Sequence, residues 1–156
     1  MDAVAAMDLE NELAIWDVTT GERILPEASG SAVAISDDDQ RFAIVADENL
    51  GVIDRDGATV LKPIEDSDFS ALAPVFTPDG QYAIVVAEVR RRLDFRDPHS
   101  MKLQWSLPTP DCHGVNHADF SIDGRYAIFT CEFGGTVAKI DLVDRKVLGY
   151  IQLIKP

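Results

Sequence analysis

The chain has 156 residues, 46% of them hydrophobic and 26% charged, and 27 acidic against 14 basic residues give a formal net charge of −13. This composition is that of a globular domain and excludes a disordered or fibrous chain. The acidic balance argues against a nucleic-acid partner, because phosphate would be repelled by most of the surface. No apolar stretch is long enough to cross a bilayer, and the N-terminal segment MDAVAAMDLENEL lacks the basic and apolar parts of a signal peptide. We therefore expect a soluble chain without membrane contact.

A repeat of about 40 residues organises the chain. An incomplete copy, AVAAMDLENELAIWDVTTGERIL, comes first, and three fuller copies start near residues 32, 72 and 117. Ile44, Ile84 and Ile128 align the three fuller copies at spacings of 40 and 44 residues. The same alignment superimposes four dipeptides, which are Trp16-Asp17, Ile53-Asp54, Phe95-Arg96 and Ile140-Asp141. The third copy is therefore expected to lack the aspartate.

Each copy predicts four short strands. A first strand (residues 32–35, 73–77 and 118–121) ends at a turn, DDDQ, PDGQ or IDGR, that suits a hairpin. A second, nearly continuous apolar strand follows (residues 42–46, 82–87 and 126–131). A third strand alternates and ends at the aspartate, as at residues 136–140, and a fourth follows a polar turn, as at residues 147–153.

Four strands repeated at this period are the signature of β-propeller blades. We predict an all-β protein with three complete blades and one that lacks a strand, 15 strands in total. The approximate blade limits are residues 1–28, 29–66, 67–109 and 110–156.

The incomplete blade raises the question of how the stack ends. One interpretation is a closed ring of four blades, in which residues 151–154 or a neighbour replace the missing strand. The other is a partial propeller that pairs with a second copy or belongs to a longer chain. We favour the partial propeller, whose two open ends would expose apolar blade surface and promote dimerisation.

The last copy, FSIDGRYAIFTCEFGGTVAKIDLVDRKVLGYIQL, resembles the repeat of the YVTN-family (YncE-like) β-propellers. The matching features are the Asp123-Gly124 turn, Tyr126, the Gly-Thr-Val at 135–137 and Ile140-Asp141. The opening copy, with its Trp-Asp, looks more like a WD40 repeat. The resemblance extends to the lactonase-like and cytochrome cd1 haem d1 propellers, and it implies a propeller fold without fixing an activity. Such propellers are often exported, so the compartment stays open.

The segment DCHGVNH, residues 111–117, is the main candidate site. It joins a fourth strand to the next first strand, on the face of a propeller where ligands enter, and Glu132 is expected on that face too. Cys112, His113, His117 and Cys131 could bind a metal, and the haem d1 resemblance implies a haem as the alternative cofactor. The spacing matches no standard metal motif, and the two cysteines could equally form one disulfide. The ordinary interpretation, which we favour, is a loop that packs and needs no cofactor.

Arg90, Arg91 and Arg92 form the only basic cluster of the sequence. Arg90 and Arg91 could clamp an anionic ligand or partner on the same face, since guanidinium groups match carboxylate and phosphate. Local charge balance, with Arg92 bound to Asp94 or Glu88, is the simpler interpretation.

The sequence contains no recognisable catalytic motif, so we predict no catalytic residue. It favours a non-enzymatic module that binds a protein or a small ligand on one face of the blades. One alternative is the metal- or haem-linked propeller. A third is a lactonase-like hydrolase with a calcium site near Glu88 and Glu132.

Overall fold

The structure, a computed structural model, describes residues 2–8, 10, 12–25, 28–46, 49–57, 59–64, 71–87 and 90–153. These residues form fifteen strands and no helix. The strands of the first half are β1 (Ala3–Met7), β2 (Glu12–Asp17), β3 (Ala28–Ser29), β4 (Ala32–Ile35), β5 (Arg41–Ala46), β6 (Asn49–Asp54) and β7 (Thr59–Ile64). Those of the second half are β8 (Ala71–Phe76), β9 (Ala83–Ala87), β10 (Arg92–Arg96), β11 (Leu103–Pro108), β12 (Val115–Phe120), β13 (Tyr126–Cys131), β14 (Thr136–Asp141) and β15 (Lys146–Gln152). Across the described part of the chain, no helix is long and apolar enough to span a membrane.

The strands form four antiparallel sheets in which neighbours in sequence are neighbours in space. The first sheet contains β1–β3, the second β4–β7, the third β8–β11 and the fourth β12–β15. Ala3 of β1 pairs with Asp17, as Tyr126 of β13 pairs with Asp141, so β1 holds the place of a second strand. The all-β fold, with three complete blades and one that lacks its first strand, is therefore confirmed.

The turn after each first strand has the same hydrogen bonds in the three complete blades. A hydroxyl donates to the carboxylate two residues later at 2.6 Å and accepts the backbone N–H five residues later at 2.9–3.0 Å. The hydroxyls belong to Ser36, Thr77 and Ser121, and the carboxylates to Asp38, Asp79 and Asp123. Counted from these hydroxyls, Ala43 rather than Ile44 corresponds to Ile84 and Ile128, which corrects the sequence alignment by one residue.

A second repeated turn follows the third strand. The Oδ1 atom of Asp17, Asp97 and Asp141 accepts the backbone N–H groups two and three residues later, at 2.7–3.1 Å. These backbone bonds hold the pKa of the three carboxyls below the usual aspartate range. The expectation that the third copy lacks this aspartate is wrong: Asp97 supplies it, one residue after the Phe95-Arg96 pair that the alignment had placed there.

The core consists of three apolar clusters, and each lies between two consecutive sheets. The cluster between the third and fourth sheets is the largest, and its centre is Phe95, which stacks on Trp105 with ring centroids 3.6 Å apart. Phe95 has no exposed surface, and burying a side chain of this size contributes about 2–3 kcal/mol. Sheet-on-sheet packing thus brings the first strands β4, β8 and β12 side by side, facing the region where the candidate site lies.

Candidate functional site

The candidate site lies at the end of the fourth sheet where β12 begins and β13 ends, since Val115 pairs with Cys131. We call this side of the sheets the loop end, because the connections between blades and between second and third strands lie there. The opposite side, where the two repeated aspartate turns lie, is the turn end.

A disulfide between Cys112 and Cys131 joins the two connections of the loop end. The two Cα atoms are 4.9 Å apart, and both residues are buried within the core cluster of the third and fourth sheets. Of the alternatives that the sequence left open for these cysteines, the structure has the disulfide. It fixes the segment that carries His113 to the end of β13.

Two backbone hydrogen bonds also attach this segment to the residues that follow β13. The Glu132 N–H donates to the Gly114 carbonyl at 2.9 Å, and the Phe133 N–H donates to the His113 carbonyl at 3.0 Å. Gly114 has φ +70°, and a Cβ there would lie 2.7 Å from the Phe133 ring, so the position favours glycine. The ring of Phe133 is 78% exposed and covers this glycine.

The polar side chains of Asn116, His117 and Glu132 meet just beyond the disulfide. The Asn116 Nδ2 donates to Glu132 Oε1 at 3.0 Å, and His117 Nε2 lies 3.8 Å from the same oxygen. The His117 side chain is 75% exposed and that of Glu132 is 41% exposed. The structure therefore brings His117 and Glu132 together, and it adds Asn116, which lies in the candidate segment 111–117 but had no role assigned from the sequence.

A cleft of about 480 Å³ lies beside these groups, between the first strands of the three complete blades. Its walls are largely apolar and its rim is polar. The lining includes Met7, Val33, Pro74, Val75, Asn116 and His117. Met7 of β1 reaches the cleft because the first sheet lacks the first strand that would lie between β1 and the cleft.

The arginine cluster lies at the same end. Arg91 donates from Nη1 to the Pro110 carbonyl at 3.2 Å, and its own carbonyl accepts the Thr109 N–H at 2.7 Å. Arg92 forms an ion pair with the buried Asp94, as the charge-balance interpretation had it. Arg90 and Arg91 thus lie in a connection that adjoins the segment leading to His113, whereas Glu88 lies outside the described residues.

The disulfide leaves fewer donor atoms for the metal or haem proposed from the sequence. Both sulfurs of the set Cys112, His113, His117 and Cys131 are bonded to each other, which leaves two imidazoles. Within the described residues, no three His, Cys, Asp or Glu side chains are grouped as a metal ion would require. The residues present therefore do not fit such a group as a set, and metal binding by His113 and His117 stays a prediction.

A second cleft, of about 260 Å³, lies at the turn end between the second and third sheets. Asp37, Asp38, Asp79 and His99 contribute to its lining. Asp38 and Asp79 are the carboxylates of the repeated turns, so this cleft follows from the repeat itself. The sequence signal for it was the cluster of aspartates at each first turn.

Comparison with solved structures identifies the fold. Over 90% of its length the chain matches Kuenenia stuttgartiensis hydrazine synthase with a TM-score of 0.70 and 20% sequence identity. Over 97% it matches dihydro-heme d1 dehydrogenase NirN in complex with DHE, with a TM-score of 0.74 and 16% identity. The four sheets are β-propeller blades. No protein-family model matches the chain, and no curated protein matches it either.

The extent of these matches limits what they imply for the propeller blades. The chain spans 43% of the hydrazine synthase chain and 35% of the NirN chain, less than half of each. At 16–20% identity the likeness concerns the fold and carries no residue of either protein's site into this chain.

Proposed function

We propose that the chain is a non-enzymatic β-propeller module of the YVTN (YncE-like) type, which binds a protein segment or a small ligand at its loop end. The observation that carries the proposal is the cleft between β4, β8 and β12, which Asn116 and His117 line and beside which Glu132 contacts both of them. Apolar walls with a few convergent polar groups are the usual composition of a ligand site.

The chemistry of the cleft favours a ligand with an apolar body and a polar head. Val33, Pro74 and Val75 offer the apolar wall. The amide of Asn116 and the imidazole of His117 offer donors and acceptors, while Glu132 accepts a hydrogen bond from the Asn116 amide and lies 3.8 Å from His117 Nε2. Arg91 adds a cation at the same end, which would attract a carboxylate.

The assignment to the YVTN type is supported by the last copy. Its Asp123-Gly124 turn is preceded by the hydroxyl of Ser121, and the Gly-Thr-Val motif at 135–137 opens β14. The disulfide supports a compartment outside the reducing cytosol, because disulfides persist under oxidising conditions. This agrees with the export that the resemblance implies.

The proposal is tested by nuclear magnetic resonance with three probes that share a benzyl group and differ in charge: phenylacetate, benzylamine and N-acetyl-phenylalaninamide. We expect at least one probe to shift the amide signals of Asn116, His117 and Glu132. The shifts should be lost in the double variant His117→Ala/Glu132→Gln, whose changes lie on exposed side chains and leave the fold intact.

The matched control is His99→Ala at the turn end, which should leave the shifts unchanged because His99 lines the other cleft. Arg91→Ala should weaken phenylacetate more than benzylamine. Probe binding that maps to the turn end, or that survives the double variant, would contradict the proposal. Calcium-dependent lactone hydrolysis, or a haem absorption band retained through purification, would replace it with the hydrolase or the haem-linked alternative.

A further inference from the structure

The outer face of the fourth sheet repeats a face that is buried elsewhere in the molecule. In the third sheet, five positions that face the fourth sheet are at most 8% exposed. They are Ile84, Val86, Leu93, Phe95 and Leu107. Strand pairing places five residues of the fourth sheet at the same positions, namely Ile128, Thr130, Val137, Lys139 and Ile151. Of these, Val137 is only 8% exposed, whereas Ile128 is 43% and Ile151 52% exposed and Lys139 is exposed, so this face is open around Ile128, Lys139 and Ile151.

The outer face of the first sheet is equivalent to the side of the fourth sheet that packs on the third sheet. In the fourth sheet, the second- and third-strand positions that face the third sheet include Ala127, Phe129, Ala138 and Ile140. Their equivalents in the first sheet, by the pairing of Ala3 with Asp17, are Val4, Ala6, Ala14 and Trp16. All four are apolar; Val4 is 48% exposed and Ala6 is exposed, Trp16 is half-buried, and Ala14 is 7% exposed.

By the internal repeat, the outer face of the fourth sheet corresponds to one side of a blade interface, and the outer face of the first sheet corresponds to the other side. We propose that the fourth sheet of one copy packs on the first sheet of a second copy, head to tail, as the third sheet packs on the fourth within the chain. The contact continues the existing stack of blades. The first sheet lacks the strand equivalent to β12, which contributes Val115 to the cluster, so the contact is made by the second and third strands that supply most of that cluster.

Lys139 is the main chemical difference between this face and the buried one. It stands where the third sheet has Phe95, and its ammonium lies 4.6 Å from the centroid of the Tyr126 ring. A lysine can lay its aliphatic stem along an apolar surface while its ammonium stays at the rim. This keeps the face soluble in the free chain and makes the contact weaker than an internal blade interface.

A head-to-tail contact either closes into a ring or continues as a filament. Two copies bring eight blades together, which lies within the range in which propellers close. The ring is therefore the expected product.

The test is sedimentation equilibrium of the 156-residue chain over a range of concentrations, with Ile128→Asp and Val4→Asp. The wild type should approach the mass of two chains, and each variant should fall to the 17.1 kDa of one. A buried unpaired carboxylate should raise the dissociation constant by more than about tenfold. The matched controls, Val143→Asp and Val18→Asp, add the same charge at exposed turn positions of the same two sheets and should associate like the wild type.

Mixing the two variants gives the decisive result. Ile128→Asp keeps an intact first sheet and Val4→Asp an intact fourth sheet, so a mixture should regain a complex of two chains through one contact. Dissociation by Ile128→Asp alone would indicate a tail-to-tail dimer and overturn the proposal. A wild type that stays monomeric, or association that neither aspartate disturbs, would overturn it too.

Discussion

The two ends of the blades differ in how much they repeat. At the turn end, the same hydroxyl–aspartate turn occurs in three blades, and the same aspartate turn follows the third strand at Asp17, Asp97 and Asp141. At the loop end, the fourth blade has a disulfide and two histidines, whereas the third blade has arginines in the connection between its second and third strands. What repeats is therefore the part that builds the sheets, and what varies from blade to blade is the part that can recognise a ligand.

The largest effect is expected at the loop end, from Cys112→Ala/Cys131→Ala. The bridge closes a loop of 19 residues, so its loss should lower the free energy of unfolding by about 3 kcal/mol. Urea denaturation measures this. Reductant should weaken the wild type to the same extent and leave the double variant unchanged, and an equal loss on adding reductant to the variant would contradict the bridge.

A pair of identical substitutions compares the ends directly. Thr77 and Thr109 are both buried, but the Thr77 hydroxyl donates to Asp79 and accepts from Tyr82, whereas that of Thr109 has no partner among the described residues. Thr77→Val should cost about 1–2 kcal/mol, and Thr109→Val should be neutral or stabilise by up to about 1 kcal/mol. Equal losses in urea denaturation would show that the turn hydroxyl has no special part.

The smallest effect is expected for the change of stability at acid pH. The five aspartates with a lowered pKa, which are Asp17, Asp38, Asp97, Asp123 and Asp141, all lie at the turn end. Because the pKa is lower in the folded state, these groups contribute stability that is fully present above about pH 4 and is lost as the pH falls through the lowered values. Asp97→Asn should therefore make the stability fall less steeply below pH 4 than in the wild type. A slope identical to that of the wild type would contradict this.

The sequence allowed the blades and their strands to be predicted because each copy carries its own turn residues and apolar strands. The alignment of the copies was wrong by one residue in two places, at Ile44 and at Phe95-Arg96. Both errors arose because adjacent apolar residues are interchangeable in a pattern, while strand pairing and turn hydrogen bonds distinguish them.

The candidate site was less accessible to prediction. The loop end could be placed, since it follows from the order of strands. The pairing of Cys112 with Cys131 depends on β12 and β13 lying side by side, and the bond of Asn116 to Glu132 depends on side-chain direction. Neither the arrangement of the strands nor the direction of a side chain follows from residue type or spacing alone.

The arrangement of the core clusters has a consequence for how the protein unfolds. Each cluster joins only two consecutive sheets, so the stability of the molecule resembles a sum over sheets and nearest-neighbour interfaces. The first sheet has three strands, with a third of only two residues, whereas the fourth is cross-linked and packs on the largest cluster. We therefore expect unfolding to begin at the first sheet, so that amide hydrogen exchange is faster there than in the third and fourth sheets.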